Sequence, residues 1–290
     1  MTAAELIART AKTLAKAPLY YGHGTDNPDD EACALVLHAL GQSLQARPAA
    51  YRKRATLAER QYLRELIALR IDARIPAVYL IGETFFAGLS FKTDPRALIP
   101  RSPLAELIEQ RFAPWIDAAK VRRVLDVGTG SGCIGIAIAR YLPKAIVDAT
   151  DVSAAALTLA AENCRRHRLT KRVNLLKSDL FSAIGRRRYD IIVSNPPYVG
   201  AREMAGLPPE YRHEPVLALA AGHDGLDLVR GLLAQARQHL RPGGLLVVEV
   251  GNSERAVRRA WPRVPFTWLE FARGGGGVFL LNAEQCQAIP

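Results

Sequence analysis

Residues 121–141 read VRRVLDVGTGSGCIGIAIARY. The pattern predicts an apolar strand to Val127, a turn built on closely spaced glycines, and an apolar helix over 133–141. Glycines between a strand and a helix let the backbone approach a ligand, and the helix N-terminus offers unpaired N–H donors. We therefore expect a ligand site at the carboxyl edge of an α/β sheet, with Asp126 accepting from a ligand amine and the ligand lying on Gly128, Thr129, Gly130 and Gly132.

Strands and helices alternate from this stretch to the end of the chain. The predicted strands are 121–127, 145–151, 173–178, 190–194, 245–250, 266–271 and 278–281. The predicted helices between them are 133–141, 153–167, 226–240 and one that begins near Ser253. Such alternation predicts a parallel sheet with helices on both faces, and the last two strands, as a hairpin at its edge, make the sheet mixed.

The first part of the chain has a different pattern. Helices are predicted over 2–16, from Asn27 and Pro28 to Gly41, and over 56–73. Short aromatic and β-branched runs at 78–81 and 84–92 predict a β-hairpin, and Ser102 with Pro103 predicts the cap and first turn of another helix. We expect a helical substrate-binding domain over 1–75, a hairpin linker over 76–100 and the sheet domain over 101–290.

Two acidic residues stand at the ends of the second and third predicted strands. Asp151 stands about 20 residues after the glycine turn, where a carboxylate can hold two ribose hydroxyls. Its alternative role, a helix cap, suits Ser153 better. These features fit either of two adenosine-containing ligands, NAD or S-adenosylmethionine, and the G-x-G-x-G spacing disfavours NAD. Asp179 is expected to accept from the adenine amino group while Leu180 packs on the ring, although Asp179 could also be a plain loop carboxylate.

The fourth predicted strand ends in Ser-Asn-Pro-Pro-Tyr at 194–198. Consecutive prolines remove two backbone donors, so the Asn195 side-chain oxygen and the Pro196 carbonyl can accept both hydrogens of an NH2 group. A planar NH2 group is a poor nucleophile, so alignment and desolvation must supply much of the rate. The candidate catalytic residues are Asn195, Pro196, Pro197 and Tyr198, the last expected to pack on a planar substrate. The alternative is a turn that only ends the strand.

The amino-acid composition limits the classes of protein to which this chain can belong. Lys and Arg number 39 against 28 Asp and Glu, a net charge of +11 that excludes an acidic solvating protein. The excess positive charge lies in residues 46–74 and 163–190. Two basic runs that carry all of the excess favour an anionic partner over the alternative, in which each run is only a solvent-exposed surface. Four cysteines stand far apart, so neither a metal site nor disulfides are expected, and free thiols fit a reducing cytosol. No apolar run is long enough to cross a membrane, and we expect a cytoplasmic protein.

Asn-Pro-Pro-Tyr after D-x-G-x-G-x-G resembles the amino-methyltransferases that use S-adenosylmethionine, acting on adenine or cytosine in DNA or on glutamine in proteins. The segment IPAVYLIG at 75–82 through LIPR at 98–101, with the helical region before it, is similar to the HemK/Prm glutamine methyltransferases. The resemblance implies a class I methyltransferase fold, a Rossmann-like seven-stranded mixed sheet with a small helical N-terminal domain. It also implies that the glycine turn holds the methionine part of the cofactor and that no metal is needed.

Within that family, release-factor enzymes usually continue with R-P-[DE]-T-E, whereas this chain has RSPLAE at 101–106. This stretch is similar to the branch that methylates large-subunit ribosomal protein L-three, as are GHGTDN at 22–27, YRHEP at 211–215, EVGNS at 249–253 and PFTWLEF at 265–271. The resemblance implies a specific glutamine of that protein as substrate, taken free or within a large-subunit assembly intermediate, with the basic runs docking on ribosomal RNA. Three alternatives remain open: release-factor glutamine, adenine in nucleic acid, and a noncatalytic ribosome-assembly factor.

Overall fold

The computed structural model describes residues 1–289, which form two compact units. The helical unit comprises Met1–Thr84, Thr93–Pro95 and Pro208–His213. The sheet unit comprises Phe85–Lys92, Arg96–Leu207 and the chain from Glu214 onward. Within the described residues, every helix is too short or too polar to cross a membrane.

The helical unit contains α1 (Ala3–Leu14), α2 (Pro28–Ala39), α3 (Leu57–Asp72) and α4 (Ala77–Ile81). The first three confirm the predicted helices, and their caps explain where they begin. Thr2 and Thr56 each form a capping box with the glutamate three residues later, and the Asn27 side chain accepts from the backbone of Asp30. Leucines and alanines of these helices form a separate apolar core.

A buried ion network lies inside the helical unit. Arg70 is 1% exposed, and its guanidinium lies 2.7 Å from a carboxylate oxygen of Glu31 and 3.0 Å from one of Glu210. Glu210 also accepts from the backbone N–H of Tyr20 at 3.0 Å. Because a buried charge is stable only when it is paired, Glu210 fixes the short segment Pro208–His213 to the helices.

The prediction of a strand over 78–81 is wrong, because these residues belong to α4. Pro76 sets the backbone for a helical start, and Gly82 ends the helix in the left-handed region at φ 74°. The hairpin follows immediately, as β1 (Glu83–Phe86) and β2 (Leu89–Lys92), joined by Ala87 and Gly88 at φ 47° and 70°. Two positive φ angles in a row produce the tight turn that matches the twist of a hairpin.

The sheet unit begins with α5 (Leu104–Glu109). It continues with β3 (Arg123–Val127), α6 (Cys133–Tyr141), β4 (Ile146–Asp151), α7 (Ala154–Arg166), β5 (Val173–Lys177), β6 (Tyr189–Ser194), α8 (Ala201–Met204), α9 (Asp227–His239), β7 (Leu240–Glu249), α10 (Glu254–Ala260), β8 (Thr267–Leu269) and β9 (Val278–Asn282). Pro103, rather than Ser102, caps α5, although Ser102 Oγ accepts from Leu104 N at 3.1 Å. α5 ends at Glu109, and Arg111 and Phe112 soon after it adopt positive φ.

Seven strands form one mixed sheet in the order β5-β4-β3-β6-β7-β9-β8. The first five are parallel, β9 runs antiparallel to β7, and β8 runs antiparallel to β9. This confirms the predicted class of fold and the terminal hairpin. From β3 the chain first moves outward through β4 and β5 and then returns to place β6 on the other side. In such sheets a ligand binds at the carboxyl edge where this reversal occurs.

Side chains of the central strands alternate between two apolar cores. Val124 of β3 and Ile191 of β6 enter the core that contains α5 and α6. Leu125 of β3 and Ile192 of β6 enter the core that contains α9 and α10. Because successive residues along these strands are apolar, each strand is buried on both faces of the sheet. This packing holds the carboxyl edge of the sheet in place.

Candidate functional site

The carboxyl ends of the central strands meet in one row, because the pairing register aligns them. Val127 of β3 lies opposite Thr150 of β4 and Ser194 of β6. The structure therefore brings together three of the predicted site residues, which come next in the chain: Gly128, Asp151 and Asn195.

The glycine turn folds over the edge of the sheet. The backbone N–H groups of Gly128 and Thr129 both donate to the Thr150 carbonyl, at 2.9 and 2.8 Å. Gly128 and Gly130 adopt φ 73° and 55°, which glycine reaches without strain. A Cβ on Gly128 would meet no atom within 4 Å, so this backbone faces the open cavity rather than the core.

Asp126 lies beneath the turn, 0% exposed and outside the cavity lining, and its contact with a ligand stays a prediction. Its Oδ2 accepts from Thr129 Oγ1 and, at 2.9 Å, from Gly135 N. Burial raises the pKa of Asp126 to about 7. Asp126 therefore ties the turn to α6, and a carboxylate in a strand interior is a sequence signal for this structural role as much as for ligand binding.

Gly132 also lies outside the cavity lining. It adopts φ 82°, and a Cβ there would lie 3.1 Å from Cβ of Ala160 on α7. The third glycine thus allows the start of α6 to pack closely on α7.

Asp151 lines the cavity and braces the glycine turn. Its Oδ2 accepts from Gly130 N at 2.9 Å and its Oδ1 from Ser153 N at 2.8 Å. Burial raises the pKa of Asp151. Since each carboxylate oxygen has two lone pairs, both oxygens can still accept from a ligand.

Asp179 and Leu180 follow β5 and both line the cavity. Asp179 is exposed, and Leu180 adopts φ 46°, an uncommon conformation for a residue with a branched side chain. A Cβ on Gly231 of α9 would lie 2.4 Å from Cδ1 of Leu180, so the glycine leaves room for this leucine. The structure places both residues where a flat ring in the cavity would meet them, and their adenine contacts stay predictions.

Asn195 is half-buried and lines the cavity together with Pro196 and Pro197. Ser194 before it is fixed, since its Oγ donates to the Val127 carbonyl at 2.7 Å. Among the described residues, none forms a hydrogen bond with the Asn195 side chain. Its oxygen and nitrogen are thus available to a ligand.

Tyr198 is not among the residues that line the cavity, and its stacking on a substrate stays a prediction. Its backbone carbonyl accepts from Ser253 Oγ at 2.8 Å, and its hydroxyl donates to Glu249 Oε1 at 3.4 Å. A Cβ on Gly251 would lie 2.6 Å from the tyrosine ring. Tyr198 is therefore a positioning residue that holds the Asn-Pro-Pro turn against the loop after β7.

The cavity has a volume of about 340 Å³, within the usual range for small-molecule sites. Sequence reasoning missed part of its wall, which is formed by Arg96–Ser102 and by Pro215, Leu217 and Ala218. It also missed Glu249, whose carboxyl group lies next to this wall and accepts from Ser102 Oγ. Burial raises the pKa of Glu249 to about 7.

Glu214 holds the missed wall in place. Its buried carboxylate pairs in a bidentate manner with Arg101, at 2.7 and 2.8 Å, and accepts from Ile99 N at 3.0 Å. Paired charge and planar geometry make such contacts strong. The only sequence signal was YRHEP at 211–215, whose glutamate we linked to a branch of the family but not to the cavity.

Comparison with known proteins identifies the family. The model of the family described as "Methyltransferase small domain" matches residues 109–206. The chain is 49% identical over 285 residues to the ribosomal protein uL3 glutamine methyltransferase of Xanthomonas campestris pv. campestris, covering 98% of this chain and 92% of that protein. The chain belongs to the uL3 glutamine methyltransferase family. The protein of the same name from Xylella fastidiosa is 47% identical, with 98% and 91% of the two chains covered.

The solved structures agree with this fold. The crystal structure of a methyltransferase from Pyrococcus furiosus matches with a TM-score of 0.50 and 20% identity, covering 68% of this chain and 89% of that one. At this identity the match concerns the fold alone. It confirms the class I methyltransferase sheet that the glycine turn and strand order predicted.

As a member of the uL3 glutamine methyltransferase family, the chain is an S-adenosylmethionine-dependent enzyme. The cavity fits that cofactor in its donor set. Asp151 offers free lone pairs for hydroxyl groups, Leu180 offers an apolar surface, and the backbone of Gly128 is open. Ser131 Oγ also lines the cavity and, among residues 1–289, has no hydrogen-bond partner, as expected of a group that meets a ligand.

Proposed function

We propose that this enzyme transfers a methyl group to the side-chain amide nitrogen of a glutamine in ribosomal protein uL3. The main support is the position of Asn195, whose amide stands unpaired in the cavity wall, in the same row as Gly128 and Asp151. A glutamine amide there would meet a matching amide on the protein at the place where the cofactor cavity opens.

Asn195 and Pro196 orient the substrate nitrogen. The Asn195 side-chain oxygen and the Pro196 carbonyl accept the two N–H groups of the glutamine, which fixes the amide plane. Pro197 has no N–H and therefore cannot compete for these acceptors. Fixed alignment in a site that excludes water is the main source of rate for a weak nucleophile.

S-adenosylmethionine, when bound, supplies an electrophilic methyl group on a sulfonium centre. Gly128, Gly130 and Ser131 would hold its amino-acid part, Asp151 its ribose hydroxyls, and Asp179 with Leu180 its adenine. The glutamine nitrogen forms the new N–C bond as the bond between the methyl group and sulfur breaks, which leaves a neutral thioether. The nitrogen then releases one proton to water, because nitrogen in the methylated, positively charged amide is strongly acidic.

We also propose how the substrate is presented. The helical unit contains the basic stretch at 46–74, and α3 within it exposes Leu57 (68%), Tyr62 (42%) and Leu69 (44%). Positive charge beside exposed apolar side chains suits a ribosomal protein that is still bound to RNA, so we assign substrate binding to this unit and an assembly intermediate as the natural target. Four free thiols suit the reducing cytoplasm, where we place the reaction.

Labelling with isotopic S-adenosylmethionine tests the proposal. Purified enzyme is incubated separately with free uL3, large-subunit assembly particles, release factors and naked RNA, and labelled peptides are sequenced by mass spectrometry. We expect label on one glutamine of uL3. Label on a release factor or on RNA, or no label on any of these substrates, would overturn the assignment.

The variant Asn195→Ala tests the site itself. We expect methyl transfer to fall by about 10²- to 10³-fold, the usual loss when one preorganised polar contact at a reacting group is removed. Calorimetric binding of the cofactor should stay near normal, since Asp151 and the glycine turn are intact. The matched control is Asn252→Ala, whose exposed amide bonds only to Glu203 and which should keep full activity. Full activity of Asn195→Ala would refute the role of this residue.

A further inference from the structure

A second cavity, of about 660 Å³, lies in the sheet unit at the opposite edge of the parallel strands. Its wall is formed by Gly185, Arg186 and Arg188, which precede β6, by the last two turns of α9, which precedes β7, and by Cys286 and Ile289. The edge where strands begin is separated from the reaction edge by the length of β3, about 17 Å for five residues.

Three arginines line this cavity: Arg186, Arg188 and Arg237. Arg237 lies on α9, outside the basic stretch at 163–190, so only folding brings the third charge to the other two. All three residues are exposed, and no described carboxylate lies within ion-pair distance of any of them. Three clustered guanidinium groups repel one another, which an anionic ligand would relieve.

Two aspartates of this edge are paired with other groups. Asp148 accepts from Tyr189 OH at 2.7 Å and pairs with Arg187 at 3.3 Å. Asp190 pairs with Arg241 at 3.0 Å. Glu284 lies near Cys286 of the cavity wall; within residues 1–289 it forms no ion pair, and it accepts from the backbone N–H of Gly243 at 3.4 Å.

Further arginines extend the positive charge along the edge. Arg172 directly precedes β5, Arg122 precedes β3 and Arg188 precedes β6. Because β5, β4, β3 and β6 are successive parallel neighbours, these residues span about 14 Å at the normal spacing between strands. Arg122 and Arg172 donate to backbone carbonyls, of Ala119 and Pro143, which leaves their charge uncompensated.

We propose that this arginine cavity binds phosphate groups of an RNA backbone. Guanidinium forks suit phosphate oxygens. A cavity with a charged row beside it fits a polyanion better than a single small anion, which would need only the cavity. The inference rests on the proposed function, since uL3 is a ribosomal protein and RNA lies beside it in an assembly particle. Binding at the starting edge of the strands leaves the reaction edge free for the glutamine.

A triple variant, Arg186→Gln, Arg188→Gln and Arg237→Gln, tests the site with a 30-nucleotide single-stranded RNA as the probe. Loss of three phosphate contacts should lower the slope of log affinity against log salt by about 2 and weaken binding about 50-fold at 0.15 M salt. The matched control replaces three other exposed arginines of the sheet unit with glutamine, namely Arg255, Arg259 and Arg263. This control should lose much less affinity and should keep most of the slope.

Equal losses in the two triple variants would overturn the site in favour of general electrostatic attraction. Inorganic phosphate is the second probe: tight phosphate binding without an effect of the triple variant on RNA would also overturn the proposal. Thermal melting is used to check that both triple variants fold. RNA binding is measured without methyl transfer, so a failure of the labelling experiment on uL3 and a failure of this site are separate results.

Discussion

The buried carboxyl group of Glu249 predicts a specific dependence of stability on pH. Glu249 ends β7 and is 5% exposed, with Ser102 Oγ and Tyr198 OH donating to its two oxygens. Burial raises its pKa from 4.5 to about 7. Since the folded-state pKa is above the unfolded-state value, the folded protein holds this proton more tightly. The contribution to stability is complete below pH 4.5 and is lost as the pH rises through 7.

The magnitude follows from the two pKa values. The difference between 4.5 and about 7 corresponds to about 3 kcal/mol of unfolding free energy lost across that range. Glu249→Gln removes the ionisation but keeps the size of the side chain and one oxygen that can accept from Ser102. We therefore expect the variant to gain about 3 kcal/mol relative to the parent protein between pH 4.5 and pH 8.

Urea unfolding at several pH values between 4.5 and 8 measures this difference. Asp126, whose pKa is also raised to about 7, titrates in both proteins and cancels in the comparison. Glu254→Gln is the control, because Glu254 lies at the surface, paired with Arg258, and its replacement should produce no such trend. A stability difference between Glu249→Gln and the parent that stays constant with pH would refute the reasoning.

Three further predictions concern the same cavity. Asp151→Ala should weaken calorimetric binding of S-adenosylmethionine by about 10- to 100-fold, since charge-assisted hydrogen bonds are lost; unchanged affinity would remove the ribose assignment. Glu214→Gln should lower the unfolding free energy by about 1–3 kcal/mol in urea, because Arg101 loses its bidentate partner. Gly132→Ala should destabilise more than Gly128→Ala, since both have positive φ but only the first places a Cβ 3.1 Å from Ala160; equal thermal shifts would contradict this.

Elements defined by local signals were predictable. The bounds of α6 were confirmed at Cys133 and Tyr141, because a glycine turn and an apolar run define them. Ser153 caps α7 as expected, with its side chain accepting from Ala156 N. The residues 78–81 were misassigned because short apolar runs suit a strand or a helix equally, and only packing against the helical core decides between them.

The site residues also divide into features that local sequence predicts and features that only packing decides. Sequence alone determined that Gly128 and Asn195 directly follow strands and that Asp151 ends one, since each motif contains its own strand end. The register of β3 with β4 and β6 then places them side by side, and no local pattern encodes that register. The tertiary structure also decided which motif residues lie outside the cavity lining, as Asp126 and Tyr198 do.

The sequence by itself determined the alternating fold, the glycine turn and the Asn-Pro-Pro-Tyr motif, because these depend on contacts between residues close in the chain. Only the tertiary structure decided that Glu214 holds Arg101 across 113 positions and that Arg237 joins Arg186 and Arg188 at the opposite edge. Such pairs depend on strand order and on helix packing. A residue's type shows what it can bind, and the fold determines which residues it meets.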